Sequence, residues 1–211
     1  MIQFADAVKL LGVTLDNTLS FNQHVSNVIR SCTFHSRALR HIRPLMTVES
    51  AKLIAASIVG ARLDYCNSLL YGSTAQNIDR LQRVQNILAR IVLQKPFSAS
   101  ATELRRELHW LPIRQRIEHK MAAITFKTKQ SGLPGYLYER FHDCQPSRIL
   151  RSSTPYQLRR PPLTTSFADR SFVVAAPTVW NSLSLSTRSA NTSGTFKSRL
   201  KTELFTSAYT T

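Results

Sequence analysis

Residues 104–126 read LRRELHWLPIRQRIEHKMAAITF, and their pattern decides the fold class. The spacing predicts a short helix, a break at Leu111-Pro112 and a longer helix after it. Proline suits the first helical position, where its missing N–H would have had no partner anyway. From Ile113 the apolar residues recur at Ile117, Met121 and Ile124, one stripe of a helix. Arg114, Arg116 and Lys120 lie off that stripe. Trp110, just before the break, is expected to wedge between the two helices as a core residue. Truncating such a side chain costs about 3–5 kcal/mol.

Working back from that stretch, the same helical period recurs. Ile78, Leu81, Val84, Leu88 and Ile91 mark the core face of a helix over about 76–93, ended by Pro96. Arg80, Arg83 and Arg90 fall on a neighbouring face. Residues 47–70 predict another helix, with Thr47 as N-cap, Glu49 in the first turn and Gly72 as the stop. Its middle, 53–61, is almost free of charge and is expected to be buried on most sides. Residues 22–42 predict a long helix with Val25, Val28, Ile29, Cys32, Leu39 and Ile42 inward, ended by Pro44. Arg30, Arg37 and Arg40 share another face of it, which suits a row of phosphates and equally suits solvent. Residues 8–15, VKLLGVTL, read as a β-strand or hairpin arm. Gly12 marks a bulge or close backbone approach within it, and Asp16-Asn17 a turn.

Beyond the opening stretch, Gly132 and Pro134-Gly135 close the long helix, and a short amphipathic helix is expected over 136–141. After Cys144 prolines follow at 146, 155, 161, 162 and 177, and helical periodicity disappears. Arg148, Arg151, Arg159, Arg160 and Arg170 have only Asp169 as an acidic neighbour, the composition of a basic arm loosely ordered until it meets a partner. Tyr156 in that arm is either a stacking platform for an unpaired base or an exposed loop residue. Order is expected to return at 172–180, FVVAAPTVW. A last helix over about 195–205 has Phe196, Leu200 and Leu204 on one side and Lys197, Arg199 and Lys201 elsewhere. The fold class is therefore mostly α: an N-terminal strand or hairpin (1–20), a helical bundle (21–143), a basic irregular arm (144–170) and a small C-terminal segment with a helix (171–211).

Charge narrows the function. The 211 residues carry 28 Lys and Arg against 12 Asp and Glu, a formal net charge of +16 and a pI near 10.6. A field of that sign favours a polyanion, nucleic acid before an anionic membrane. The run over 53–61 is far shorter than the roughly 18 residues of a membrane span. No secretory leader is visible, so an intracellular protein, nuclear or cytoplasmic, is expected. Cys32, Cys66 and Cys144 are widely separated, fit a reducing compartment, and are expected to be buried free thiols.

Catalytic chemistry finds no support. Metal-dependent polymerases and nucleases need carboxylates close together to hold divalent cations. Here no Asp-Asp, D-x-D or D-x-E occurs, and in Phe4-Ala5-Asp6-Ala7 the second aspartate of an F/Y-x-D-D signature is alanine. The six histidines are scattered, with His24 and His35 beside an apolar helix face, where a satisfied core histidine is commoner than a ligand. No phosphate-binding glycine loop, nucleophile elbow or zinc spacing is present. No catalytic residue, metal ligand or cofactor is assigned.

Eight stretches, taken in order, carry a resemblance: VKLLGVTLDNTLSFNQHV (8–25), RLDYCNSLLYG (62–72), RLQRVQNILARIV (80–92), LHWLPIRQRIEHK (108–120), LPGYL (133–137), RILRSS (148–153), RSFVVAAPTVWNSL (170–183) and FKSRLKTELF (196–205). Together they resemble the C-terminal part of the reverse transcriptase of LINE-type (non-LTR) retrotransposons, the jockey-like animal elements in particular. The resemblance implies that VKLLGVTLD corresponds to the hairpin after the palm, and the helices after it to the thumb that grips a template–primer duplex. It places the family's catalytic aspartates, and the divalent metal they hold, upstream of these residues. The implied protein is not an enzyme on its own. Its partner would be an RNA or DNA template–primer duplex, without a membrane, and it would self-associate through the surface that faces the palm. The rival reading is a structural or protein-interaction module that docks on a separate palm.

Overall fold

A computed structural model describes residues 6–144, 155–162, 165 and 168–210. The fold is mostly helical, with one antiparallel hairpin at its start. The chain forms two compact units, Met1–Arg116 and Ile117–Thr211, divided inside the helix Ile113–Ser131.

The first unit begins with β1 (Ala7–Leu10) and β2 (Val13–Asp16), paired from Ala7↔Asp16 to Leu10↔Val13. Leu11 (φ 47°) and Gly12 (φ 82°) form the two-residue connection, the left-handed pair that hairpin twist favours. Gly12 is thus a turn residue, not a bulge inside one strand. The close approach expected there is present: a Cβ on Gly12 would lie 3.5 Å from the Tyr65 ring, and the Tyr65 hydroxyl donates to the Leu11 carbonyl at 2.7 Å.

Helix α1 spans Asn22–Ile42, the expected range, with Val25, Cys32 and Leu39 buried. Its N-cap, Phe21, makes no side-chain cap bond; Ser20 Oγ accepts the Asn22 N–H at 3.3 Å, and Asp16 holds the turn before the helix. The Asp16 carboxylate accepts the N–H groups of Ser20 (2.8 Å) and Phe21 (2.9 Å) and the hydroxyls of Thr18 and Ser20. Burial pushes this carboxyl up, but the four bonds outweigh it and bring it down to about 2.

Helix α2 (Val48–Ile54) is capped by Thr47, which accepts the Ser50 N–H at 3.2 Å. A π-helical segment, Ala55–Gly60, leads into α3 (Ala61–Asp64). Buried residues recur every fourth position, at Ala51, Ala55, Val59 and Leu63. That spacing drifts round a 3.6-residue helix, and the wider π turn brings it back into line. Two expectations fail here. The helix ends at Asp64 rather than near 70, because Tyr65 turns extended and Cys66 left-handed (φ 51°) before a 3-10 turn, Asn67–Leu70. The uncharged segment is buried on one face only, since Leu53 is 68% and Ile58 37% exposed.

Helix α4 (Ala75–Leu93) starts at the N-cap Thr74 and buries Leu81, Val84, Leu88 and Ile91. It runs beside α1 in the same direction. At their starts the Asn77 amide donates to the Ser20 carbonyl (3.1 Å) and to Asn22 Oδ1 (2.9 Å). At their ends Arg43 Nε donates to the Val92 carbonyl at 2.7 Å. Gln94 (φ 51°) closes α4 before Pro96 is reached: its N–H bonds to the Ile91 carbonyl and the Lys95 N–H to the Arg90 carbonyl, a Schellman cap with glutamine where glycine is usual.

Helix α5 (Ala101–Glu107) leads into the corner that decides the fold class. His109 turns the chain with φ 55°, and Leu108 and Leu111 are buried in the corner. Trp110 is only half-buried, so it is not the expected core wedge. Helix α6 (Ile113–Ser131) begins one residue after Pro112, whose carbonyl accepts the Arg116 N–H. The corner's orphan polar groups are met by α4: Gln82 Oε1 accepts the Ile113 N–H and Gln85 donates to the Leu111 carbonyl, both at 2.9 Å.

In the second unit α6 buries Ile117, Met121 and Phe126 and ends at Gly132 (φ 69°). The amphipathic helix expected over 136–141 is a single turn, α7 (Gly135–Tyr138), with no buried residue. Helices α8 (Phe172–Ser182), α9 (Leu185–Arg188) and α10 (Ser193–Tyr209) follow. Pro177 lies inside α8, where periodicity alone gave no helix. Phe196, Leu200 and Leu204 are buried as expected. Trp180 is the buried tryptophan of this chain, 2% exposed, with its ring 5.7 Å from Phe196, which stacks on Phe126 at 4.2 Å. The described part of the basic arm is held rather than loose. Trp180 Nε1 donates to the Tyr156 carbonyl (2.7 Å), Asn181 exchanges two bonds with the Leu158 backbone, and Arg188 donates to the Pro155 carbonyl.

Candidate nucleic-acid interface

Helix α1 places Arg30, Arg37 and Arg40 on one exposed face, at intervals of seven and three residues. At 1.5 Å rise per residue the row is about 15 Å long, the rise of roughly four base pairs. Ion pairs among the described residues include Arg106–Glu103, Arg116–Asp64, Lys129–Asp143 and Arg160–Asp169. None of these involves Arg30, Arg37 or Arg40.

The row on α4 has the same spacing reversed but different surroundings. Arg80 donates to Ser26 Oγ (2.7 Å) and Asn77 Oδ1 (3.3 Å), which ties α4 to α1. Arg90 donates to the Ala99 carbonyl (3.1 Å) and lies over the Phe97 ring at 4.9 Å. Arg83 alone of the three is exposed. This face is therefore partly an internal joint, not one continuous contact surface.

The remaining candidates divide in the same way. Arg114 is exposed. Arg116 forms a two-point pair with Asp64, Nε to Oδ1 at 2.8 Å and Nη2 to Oδ2 at 2.5 Å, which makes it a structural arginine. In the second unit Lys120 is half-buried, Arg159 is exposed, and Arg160 meets Asp169 at 3.0 Å. Arg148 and Arg151 lie outside the described residues. Tyr156 is 57% exposed, and its carbonyl holds Trp180.

Three arginines that the sequence did not single out are buried: Arg43, Arg105 and Arg188. Each bonds to neutral oxygens: Arg43 to the Val92 and Met46 carbonyls, Arg105 to Asn86 and Thr102, Arg188 to the Leu183 and Pro155 carbonyls. Their partners include residues of other segments, such as Val92 of α4 for Arg43 and Pro155 for Arg188, so no local sequence signal marks them.

Groups with chemical potential are structural where they are described. His24 is buried, its Nδ1 accepts the Thr14 N–H at 3.4 Å, and burial pushes its pKa down. Burial pushes the Cys32 thiol up to about 11, against the nearby Arg62 charge. Cys66 is half-buried and Cys144 exposed, which corrects the expectation of buried thiols. Among the described residues no group of three or more His, Cys, Asp or Glu is placed to hold a metal ion. No described helix is long and apolar enough to cross a membrane.

Comparison with known proteins agrees with the resemblance at a coarser level. Over 112 residues, 52% of this chain, the sequence is 26% identical to a Drosophila melanogaster protein described as "Probable RNA-directed DNA polymerase from transposon BS". The chain covers 12% of that protein's length. No family model and no solved structure matches. About half of this chain is thus similar to a region of a probable transposon RNA-directed DNA polymerase.

Proposed function

We propose that this chain is a thumb-like, nucleic-acid-binding segment of a LINE-type reverse transcriptase, from the C-terminal side of the palm, and not catalytic by itself. The observation that carries the reading is the α1 row, Arg30, Arg37 and Arg40, exposed and without a carboxylate partner among the described residues. The similarity to part of a transposon polymerase supports it. A thumb holds a duplex by its backbone, through basic helix faces that read no bases. Arg83 and Arg114 extend the same function on neighbouring elements, and Arg159 and the arm around it supply a second contact. Fluorescence anisotropy with a labelled RNA–DNA hybrid tests this. Tight binding in low salt that weakens steeply as salt rises is the expected result. Absence of binding by the folded chain in low salt refutes it.

A second reading has its own observation. Phe34, Leu45 and Leu53 of the first unit are large apolar residues left exposed. They suit docking on a palm or on a second copy, which makes the chain a protein-interaction module. Sedimentation that stays monomeric at every salt and protein concentration contradicts self-association.

A further inference from the structure

A cleft of about 280 Å³ opens at the C-terminal ends of α1 and α4, lined among others by Arg40, Arg43, Arg90, Lys95, Ile87 and Phe97. Four of these are cations, and none forms an ion pair among the described residues. The end of α4 calls for positive charge, but only about half a unit. Arg43 already meets it through the Val92 carbonyl, while the Arg90 and Ile91 carbonyls are taken by the Gln94 and Lys95 N–H groups. The helix end therefore accounts for Arg43, and Arg90 is held by the Ala99 carbonyl and the Phe97 ring, which leaves Arg40 and Lys95 in excess. The Arg90 Nε is moreover buried without a hydrogen-bond partner among the described residues, a costly state for a charged donor.

Beside this charge stands an aromatic platform. Phe97 is 83% exposed, and the Arg90 guanidinium lies over its ring. An open ring backed by an arginine plane suits stacking of any base. The cleft is below the size of a drug-sized site and far too small for a duplex. Arg40 belongs both to the cleft and to the row on α1, so the two surfaces are continuous.

We propose that this cleft takes one unpaired nucleotide of a nucleic-acid strand, with the phosphate on Arg40 and Lys95 and the base on Phe97. The inference deepens the nucleic-acid reading above and rests on it. A thumb with such a cleft holds the duplex along α1 and the strand that leaves it at Phe97.

Anisotropy with a labelled single-stranded RNA decamer and with a blunt RNA–DNA hybrid tests the proposal on the full chain. Phe97→Ala and Lys95→Glu alter exposed side chains, and thermal unfolding checks that both variants fold. Phe97→Ala is expected to weaken the single strand about tenfold and the blunt hybrid less than about twofold. Lys95→Glu is expected to weaken the single strand by a similar factor. Single-strand affinity unchanged in folded Phe97→Ala overturns the proposal, as does an equal loss on both probes. A site that answers to Lys95→Glu but not to Phe97→Ala is an anion site without a base, and also overturns it. If the pocket variants have no effect while the hybrid binds with steep salt dependence, the pocket fails and the duplex reading stands. If neither probe binds, both fail.

Discussion

The arginines of α1 and α4 share one sequence pattern and have two different employments. On α1 the intervals are seven then three, and all three side chains are exposed. On α4 the intervals are three then seven, yet Arg80 ties α4 to Ser26 of α1 and Arg90 ties it to Ala99. Periodicity says which residues share a helix face. It does not say whether that face meets solvent or a neighbouring element. Arg80 looked like a contact residue because its partners, Ser26 and Asn77, are neutral, and no charge pattern announces a hydrogen bond to serine.

This contrast can be broken by substitution, and the effects should be graded. Arg116 is the strongest structural case, and Arg116→Ala should lower stability by about 2 kcal/mol. That lies between a surface pair and a fully buried one, because the side chains of Arg116 and Asp64 keep 21% and 38% of their exposure. Denaturant unfolding would show the loss, and an unchanged midpoint would return Arg116 to the list of free cations. Arg80→Ala should cost about 1 kcal/mol, and a double-mutant cycle with Ser26→Ala should give a coupling of similar size. Additive effects would mean that Arg80 is not a joint. Arg83→Glu should stay within about 0.5 kcal/mol of the parent, as an exposed change away from internal bonds.

The α1 row also depends on how its helix begins. Asp16 has its carboxyl lowered from 3.8 to about 2 by bonds present only in the folded chain. A depressed carboxyl contributes stability above its unfolded pKa and loses it as pH falls through the folded one. Stability should therefore decline between about pH 4 and pH 2, and Asp16→Asn should flatten that part of the profile. A wild-type slope that survives the substitution would assign the decline to other carboxylates.

Much of the architecture was legible in the sequence. The span of α1, the N-cap at Thr47, the core stripe of α4 and the Phe196-Leu200-Leu204 face needed only periodicity and capping chemistry. What was not legible depends on partners far along the chain. Trp110 sits at the break and Trp180 in a proline-marked segment, yet Trp180 has the buried environment, because Phe196, itself stacked on Phe126, reaches it from another helix. The helix after Thr47 stops early because Asp64 and Tyr65 face calls from Arg116 and Leu11. Several of the stretches that carry the family resemblance form joints in the first unit. RLDYCNSLLYG meets the hairpin through Tyr65 and the 108–120 stretch through Asp64, while RLQRVQN holds that stretch through Gln82 and Gln85. Within the first unit these stretches include packing joints, and none of them contains Arg30, Arg37 or Arg40. This is why the α1 arginines have to be tested directly.

The salt dependence of hybrid binding, compared between the parent chain and Arg30→Glu/Arg37→Glu, tests the central claim most directly. Two lost phosphate contacts should reduce the slope of log affinity against log salt by about two and weaken binding at every salt concentration, with the thermal midpoint unchanged. An unchanged slope and affinity in the folded double variant would contradict the claim that α1 grips the phosphate backbone.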